Sequence, residues 1–281
     1  MKKMALRFTY PILFCALILM FYGGVDAAKN LQEKVSSSSS MDAEKKMKSA
    51  QIGLFTIDEL LSFRVGTKLP IFFPIRNHSL YPPFLPQNLA KTIPFSTKEA
   101  AAVFDLFSVP PVSPEGEAFL GTLLTCEESV KGGNKICATS LDSMLGFLEK
   151  SFGPGVDFEF VTTTHPTITT PIFQSYTVLE APSEIRSAKK VPCHPFPYFY
   201  AVYFCHSDPG YGTKAFKLRL AAESSGDEVE AVVVCHMDSK DLSSDHLVFR
   251  MLGIEKGSSF CHVFRQGDLV WIQKTSPLAA M

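Results

Sequence analysis

Four cysteines of this 281-residue chain are each followed directly by histidine: Cys193-His194, Cys205-His206, Cys235-His236 and Cys261-His262. With seven histidines in the whole chain, a cysteine meets one by chance only a few times in a hundred. Three of the dipeptides lie in or at the end of β-branched and aromatic runs, AVYFCH, AVVVCH and FCHVF. Successive side chains of a strand point to opposite faces. If the cysteines face the interior and bridge, the histidines all emerge on the other side. A disulfide between neighbouring strands then sets two imidazoles close together, and two disulfides gather four.

Four neutral imidazoles, His194, His206, His236 and His262, are a candidate metal site. Imidazole suits Cu, Zn and Ni, and tetragonal nitrogen coordination points to Cu(II). A zinc site built from cysteine thiolates and histidine is disfavoured, because spacers of 10, 28 and 24 residues are not those of zinc fingers. Disulfide cysteines followed by histidines that only fill hydrogen-bonding positions would give the same pattern, and the residues alone leave both readings open. A metal held this way is released as pH falls towards the imidazole pKa of about 6.5, because only the neutral ring ligates.

The redox state of those cysteines depends on where the chain travels. Lys2, Lys3 and Arg7 precede an apolar stretch from Phe8 to Tyr22, and Val25-Asp26-Ala27 offers small residues at a cleavage site. This is the plan of a secretory signal peptide, residues 1–27. Fifteen apolar residues interrupted by Pro11 fall short of the ~20 a spanning helix needs. Cleavage after Ala27 removes Cys15 and leaves six cysteines, an even number suited to disulfides in an oxidising compartment. Six cysteines allow 15 pairings. Cys126 and Cys137, separated by a Gly132-Gly133-Asn134 turn, are expected to form a local disulfide. Asn77-His78-Ser79 is the single N-glycosylation sequon. With 27 Lys+Arg against 28 Asp+Glu, the charge balance argues against nucleic acid as a partner. Without the leader, no segment is expected to engage a membrane.

Along the mature chain, residues 28–67 read as a linker, beginning with a serine run at 36–40 and ending in a short helix opened by the capping box Thr56–Glu59. Six prolines between Pro70 and Pro94 exclude long helices there. Capping signals at Ser96, Ser113 and Ser140 make 95–152 helical, with Gly153 as a stop. Beyond residue 156, seven short runs, HLVFRML among them, read as strands. The expected class is α+β: a helical N-terminal part packed on a disulfide-linked, mostly antiparallel β C-terminal part.

The arrangement CH-x10-CH-x28-CH-x24-CH-x8-W, ending on Trp271, resembles the BURP domain of plant secreted proteins. The spacers 10 and 8 match the family pattern, and 28 stands at or slightly beyond its usual upper end. LPIFFPI, FLPQNLAKTIPFS and TCEESVKGGNKICATSLDSML resemble further family motifs, so the likeness covers residues 68–274. The short spacer without repeats resembles the unknown-seed-protein-like branch. The resemblance implies a protein of the secretory pathway, in the protein storage vacuole or the cell wall, with a link to seed development and with components of those compartments as partners. Some family members are copper-dependent peptide cyclases that crosslink a Tyr or Trp ring within their own chain. Their copper is held by histidines of the kind found here at His194, His206, His236 and His262, and the family's further histidine falls at His246.

A self-modifying cyclase needs an exposed aromatic substrate segment. Residues 28–67 contain neither Trp nor Tyr, and Trp271 is a framework position. A non-catalytic secreted or vacuolar protein is therefore the leading expectation, with a copper enzyme behind it. A hydrolase finds no support, since neither G-x-S-x-G nor H-E-x-x-H occurs.

Overall fold

The computed structural model describes residues 44–73, 82–127, 134–164, 173–207, 212–240 and 242–274. The leader 1–27 and the sequon residue Asn77 lie outside them. The chain divides into two compact units, Met1–Met47 and Lys48–Met281. Of the first, residues 44–47 are described and are helical; all that follows concerns the second. Among the described residues no helix is long and apolar enough to cross a membrane.

The second unit is α+β, and among the described residues every strand ladder is antiparallel. Its N-terminal half runs β1 (Leu54–Phe55), α1 (Ile57–Ser62), β2 (Lys68–Phe72), α2 (Gln87–Ala90), α3 (Ala100–Phe107), α4 (Pro114–Glu127), β3 (Asn134–Ala138) and α5 (Leu141–Phe152). There follow β4 (Phe158–Val161), β5 (Phe173–Val178), β6 (Ser183–Glu184), β7 (Lys190–Phe196), β8 (Val202–Ser207), β9 (Thr213–Ala222) and β10 (Glu228–His236). The chain then forms α6 (Leu247–Leu252), β11 (Phe260–Val263) and β12 (Leu269–Gln273).

Two sheets result. The first has the order β1-β11-β10-β9-β5-β2, with β6 also pairing β9; the second has the order β3-β8-β7-β12-β4. They meet through Ala215, Val232 and Val234 of the first, Phe264 just after β11, and Val270 and Ile272 of the second. The central strand β10 shows why its sequence, EVEAVVVCH, is apolar almost throughout. Val229, Ala231, Val233 and Cys235 face one core, while Val232 and Val234 face the other sheet. Thr163 crosses between layers: its hydroxyl donates to the Phe264 carbonyl at 2.6 Å and accepts from the Val232 N–H at 3.0 Å.

Helices α3, α4 and α5 cover the outer face of the second sheet. Met144, Leu148 and Phe152 of α5 pack on Val191, Cys193, Cys205 and Trp271. Val103, Phe104 and Leu123 of α3 and α4 pack on Tyr198, Tyr200 and Val202. Helix α5 starts where the sequence places it, with the Ser140 hydroxyl accepting from the Ser143 N–H at 3.2 Å. The Cys126–Cys137 disulfide ties the end of α4 to β3.

Four expectations are corrected. The last part of 28–67 is not a linker: β1 and α1 place Phe55, Leu60 and Phe63 in the core of the first sheet. Gly53 at φ 73° brings this segment against β11, where a Cβ would stand 2.9 Å from that of Val263. The stretch 95–152 is not wholly helical, because β3 pairs with β8 between α4 and α5. HLVFRML is the helix α6 rather than a strand, held between an N-cap at His246 and a left-handed Gly253. Ser96 does not cap a helix. Its hydroxyl bonds the Glu99 carboxylate at 2.9 Å, and residues 97–99 form a 3₁₀ turn before α3.

Replacing both Cys126 and Cys137 by Ser removes a link across 11 residues. In the chain-entropy model the loss is about 2–3 kcal/mol. Urea unfolding of the double variant should show that drop in stability, with the β-sheet circular dichroism of the folded state unchanged.

Candidate metal centre

Adjacent strands β7 and β8 place Cys193 directly opposite Cys205, and β10 and β11 place Cys235 directly opposite Cys261. Both pairs are disulfides, with Cα separations of 4.0 and 3.9 Å. All four cysteines are buried, Cys235 and Cys261 in the core of the first sheet and Cys193 and Cys205 under α5. Strand alternation turns the next residue of each dipeptide to the opposite face. That face is where the two sheets meet.

His194, His206, His236 and His262 therefore form a closed ring of neighbours. Within the second sheet the His194 and His206 ring centres are 5.7 Å apart, and within the first His236 and His262 are 5.5 Å apart. Across the sheets, His194 lies 5.5 Å from His262 and His206 lies 5.3 Å from His236. Aromatic rings border the cluster: Phe264 stands against His194 and His262, Phe260 against His236, and Phe204 against His206.

His236, His262 and His194 show defined polar contacts. The Nε2 atoms of His236 and His262 are 3.4 Å apart, so one can donate its hydrogen to the other. His194 turns Nδ1 to the Oδ1 of Asp268 at 3.2 Å, and the other oxygen of that buried carboxylate accepts from the Arg265 N–H at 2.7 Å. Asp268 was not visible as a site residue in the sequence. It is one acidic residue among many, and the turn that carries it holds no motif.

His262 is held well below the ordinary imidazole value. Burial is the largest cause, and His236, His194 and His206 add repulsion against a charged ring. This favours the neutral imidazole, the form that can ligate a metal.

The fifth candidate, His246, has another task. It is the N-cap of α6, where its Nδ1 accepts from the Val248 N–H at 3.3 Å, and its ring lies 6.3 Å from Phe249.

The donor chemistry of the four-histidine ring fits a borderline metal ion such as Cu(II): nitrogen ligands only, in an apolar setting. Two nitrogens 3.4 Å apart are also within the ~4 Å that a pair of bonds of about 2.0 Å can span. The rings are stacked, however, with interplanar angles of 7° between His236 and His262 and 19° between His194 and His206. Among the described residues, no group of three or more His, Cys, Asp or Glu stands arranged to hold a metal as it is. Ligation asks the imidazoles to turn out of that stack.

The shift at His262 makes metal-free stability depend on pH. Its folded-state pKa lies below the unfolded value of about 6.5, so the unfolded chain takes up the proton first as pH falls. The stabilisation is complete above pH 6.5 and is lost below it, at no more than about 1.4 kcal/mol per pH unit for one proton. Urea midpoints in a chelator between pH 7.5 and 5 should fall accordingly, and His262→Asn should flatten the profile.

A BURP domain model matches residues 54–273, which includes β1 and α1 as well as all four Cys-His dipeptides. The BURP domain protein USPL1 of Arabidopsis thaliana is 35% identical, covering 78% of this chain and 79% of that protein. The BURP domain-containing protein BNM2C of Brassica napus is 33% identical over 96% of this chain and 99% of its own length. BNM2A of the same plant is 34% identical over 79% and 80%. The Cys-His frame, its two sheets and these relatives together make the chain a member of the BURP domain family of plants.

Proposed function

We propose that this chain is a non-catalytic protein of the secretory pathway whose BURP domain binds one copper ion at His194, His206, His236 and His262. The observation that carries the reading is the closed ring of four imidazoles, 5.3 to 5.7 Å between neighbours, drawn from two disulfide-linked strand pairs in different sheets. Bound there, copper would supply redox chemistry and a strong Lewis acid. The chain's own residues would hold it and exclude bulk water through Phe204, Phe260 and Phe264.

A second reading, copper-dependent cyclisation of an aromatic side chain, is weaker as judged from four aromatic side chains among the described residues; Tyr81 lies outside them. Trp271 is 9% exposed and packed between Phe158 and Phe160. Tyr176, Tyr198 and Tyr200 are buried core residues. These rings support the framework and are not presented as a substrate. The proposed compartments are the protein storage vacuole or the cell wall, with components of those compartments as partners, a role in seed development, and a glycan on Asn77.

The mature chain, made through a secretory host and loaded with Cu(II), tests the reading. Native mass spectrometry should show one copper per chain, lost in the double variant His236→Ala/His262→Ala. Denaturing mass spectrometry should show no loss of hydrogens beyond those of the disulfides. Absence of stoichiometric copper at neutral pH would overturn the site, and loss of two further hydrogens on copper loading would establish the cyclase instead.

A further inference from the structure

We propose that Asp268 is the positioning residue of the four-histidine centre, fixing His194 as the Nδ1-protonated tautomer so that Nε2 keeps the lone pair that binds metal. The inference rests on the metal-binding reading above. Its basis is the direction of one hydrogen bond. A carboxylate only accepts, so the 3.2 Å contact between Asp268 Oδ1 and His194 Nδ1 requires the hydrogen to sit on Nδ1. In the neutral form of such a ring the lone pair is on the other nitrogen, the one turned away from Asp268.

The carboxylate is itself held in place. Asp268 is 7% exposed, and its Oδ2 accepts from the Arg265 N–H. Its backbone N–H donates to the Arg265 carbonyl at 3.0 Å, and its carbonyl accepts from the Thr162 hydroxyl at 2.7 Å. Gly267, at φ 95°, completes the turn. That turn joins β11, which carries His262, to β12, which pairs with β7 and hence with His194. One rigid turn thus links the chain segments that bring a histidine from each sheet. Outer partners of this kind orient metal-binding imidazoles and raise their basicity, and their loss typically costs 10–100-fold in metal affinity.

Asp268 also closes its own turn, so a test must separate positioning from folding. Asp268→Asn retains an oxygen for the Arg265 N–H but can present an amide N–H to His194, which favours the opposite tautomer. In metal-free protein labelled with ¹⁵N-histidine, the wild-type His194 signals should report hydrogen on Nδ1, and Asp268→Asn should move it to Nε2. His194→Gln assigns the signals. Competition of Cu(II) against a chelator should show affinity 10–100-fold lower in Asp268→Asn, while its urea midpoint stays near wild type. A wild-type His194 with its hydrogen on Nε2, or copper affinity unchanged in a variant with the tautomer reversed, would overturn the proposal. Wild-type protein with the expected tautomer but no copper binding would overturn the metal reading, and the positioning role with it, by a separate readout.

Discussion

Two disulfides across directly opposed strand positions are the constraint from which the rest of the central architecture follows. Cys193–Cys205 and Cys235–Cys261 each join residues that are register partners. A one-residue slip in a strand would carry its whole side-chain set to the other face. The covalent link forbids that slip in the four strands β7, β8, β10 and β11. Each bridge also limits the unfolded chain, closing 12 and 26 residues, worth about 3 kcal/mol apiece in the entropic model. The greater consequence is parity: once the cysteines are fixed in the outer cores, the histidines have only the space between the sheets.

That space is an unusual place for imidazoles. Around them the inter-sheet contact is aliphatic and aromatic, with Val232, Val234, Phe264, Val270 and Ile272 as its core. Four rings within 5.7 Å of their neighbours cannot all be charged without strong mutual repulsion. The Asp268 carboxylate beside His194 and the Nε2 contact between His236 and His262 supply the polar partners that burial demands. At His262 burial and the neighbouring rings favour the neutral form, the state in which an imidazole nitrogen can act as a ligand.

Much of this was legible because it depends on local rules. The placement of the four histidines on a common face follows from strand alternation and the dipeptide alone. The Cys126–Cys137 link follows from a short glycine-containing loop, and α5 from its Ser140 cap. The pairing of the other four cysteines was not legible, because it depends on which strands become neighbours, and β8 pairs with β7 while β10 pairs with β11. Strand β3 was hidden for the same reason: NKICA is short and flanked by helices, and only its ladder with β8 makes it a strand. In α6 the six apolar-rich residues carry no clear period, and the caps at His246 and Gly253 decide the outcome. Asp268 acquires its meaning from a contact 74 residues away in sequence.

The adjacency of Cys and His also restricts what such a centre can bind. Residues next to each other on a strand cannot share a face, so a thiolate and the imidazole beside it cannot join one ligand set while the strand persists. The cysteines lie in the outer cores with their neighbours Leu218, Val233 and Val263 in one sheet and Val191 and Trp271 in the other. Opening a disulfide would therefore relax the register without adding sulfur donors to the inter-sheet space. Soft ions that depend on thiolate are disfavoured on geometric grounds, and the site is left to ions that imidazole alone can hold. A spacing of one residue, rather than two, is what separates the structural chemistry of sulfur from the ligand chemistry of nitrogen in this fold.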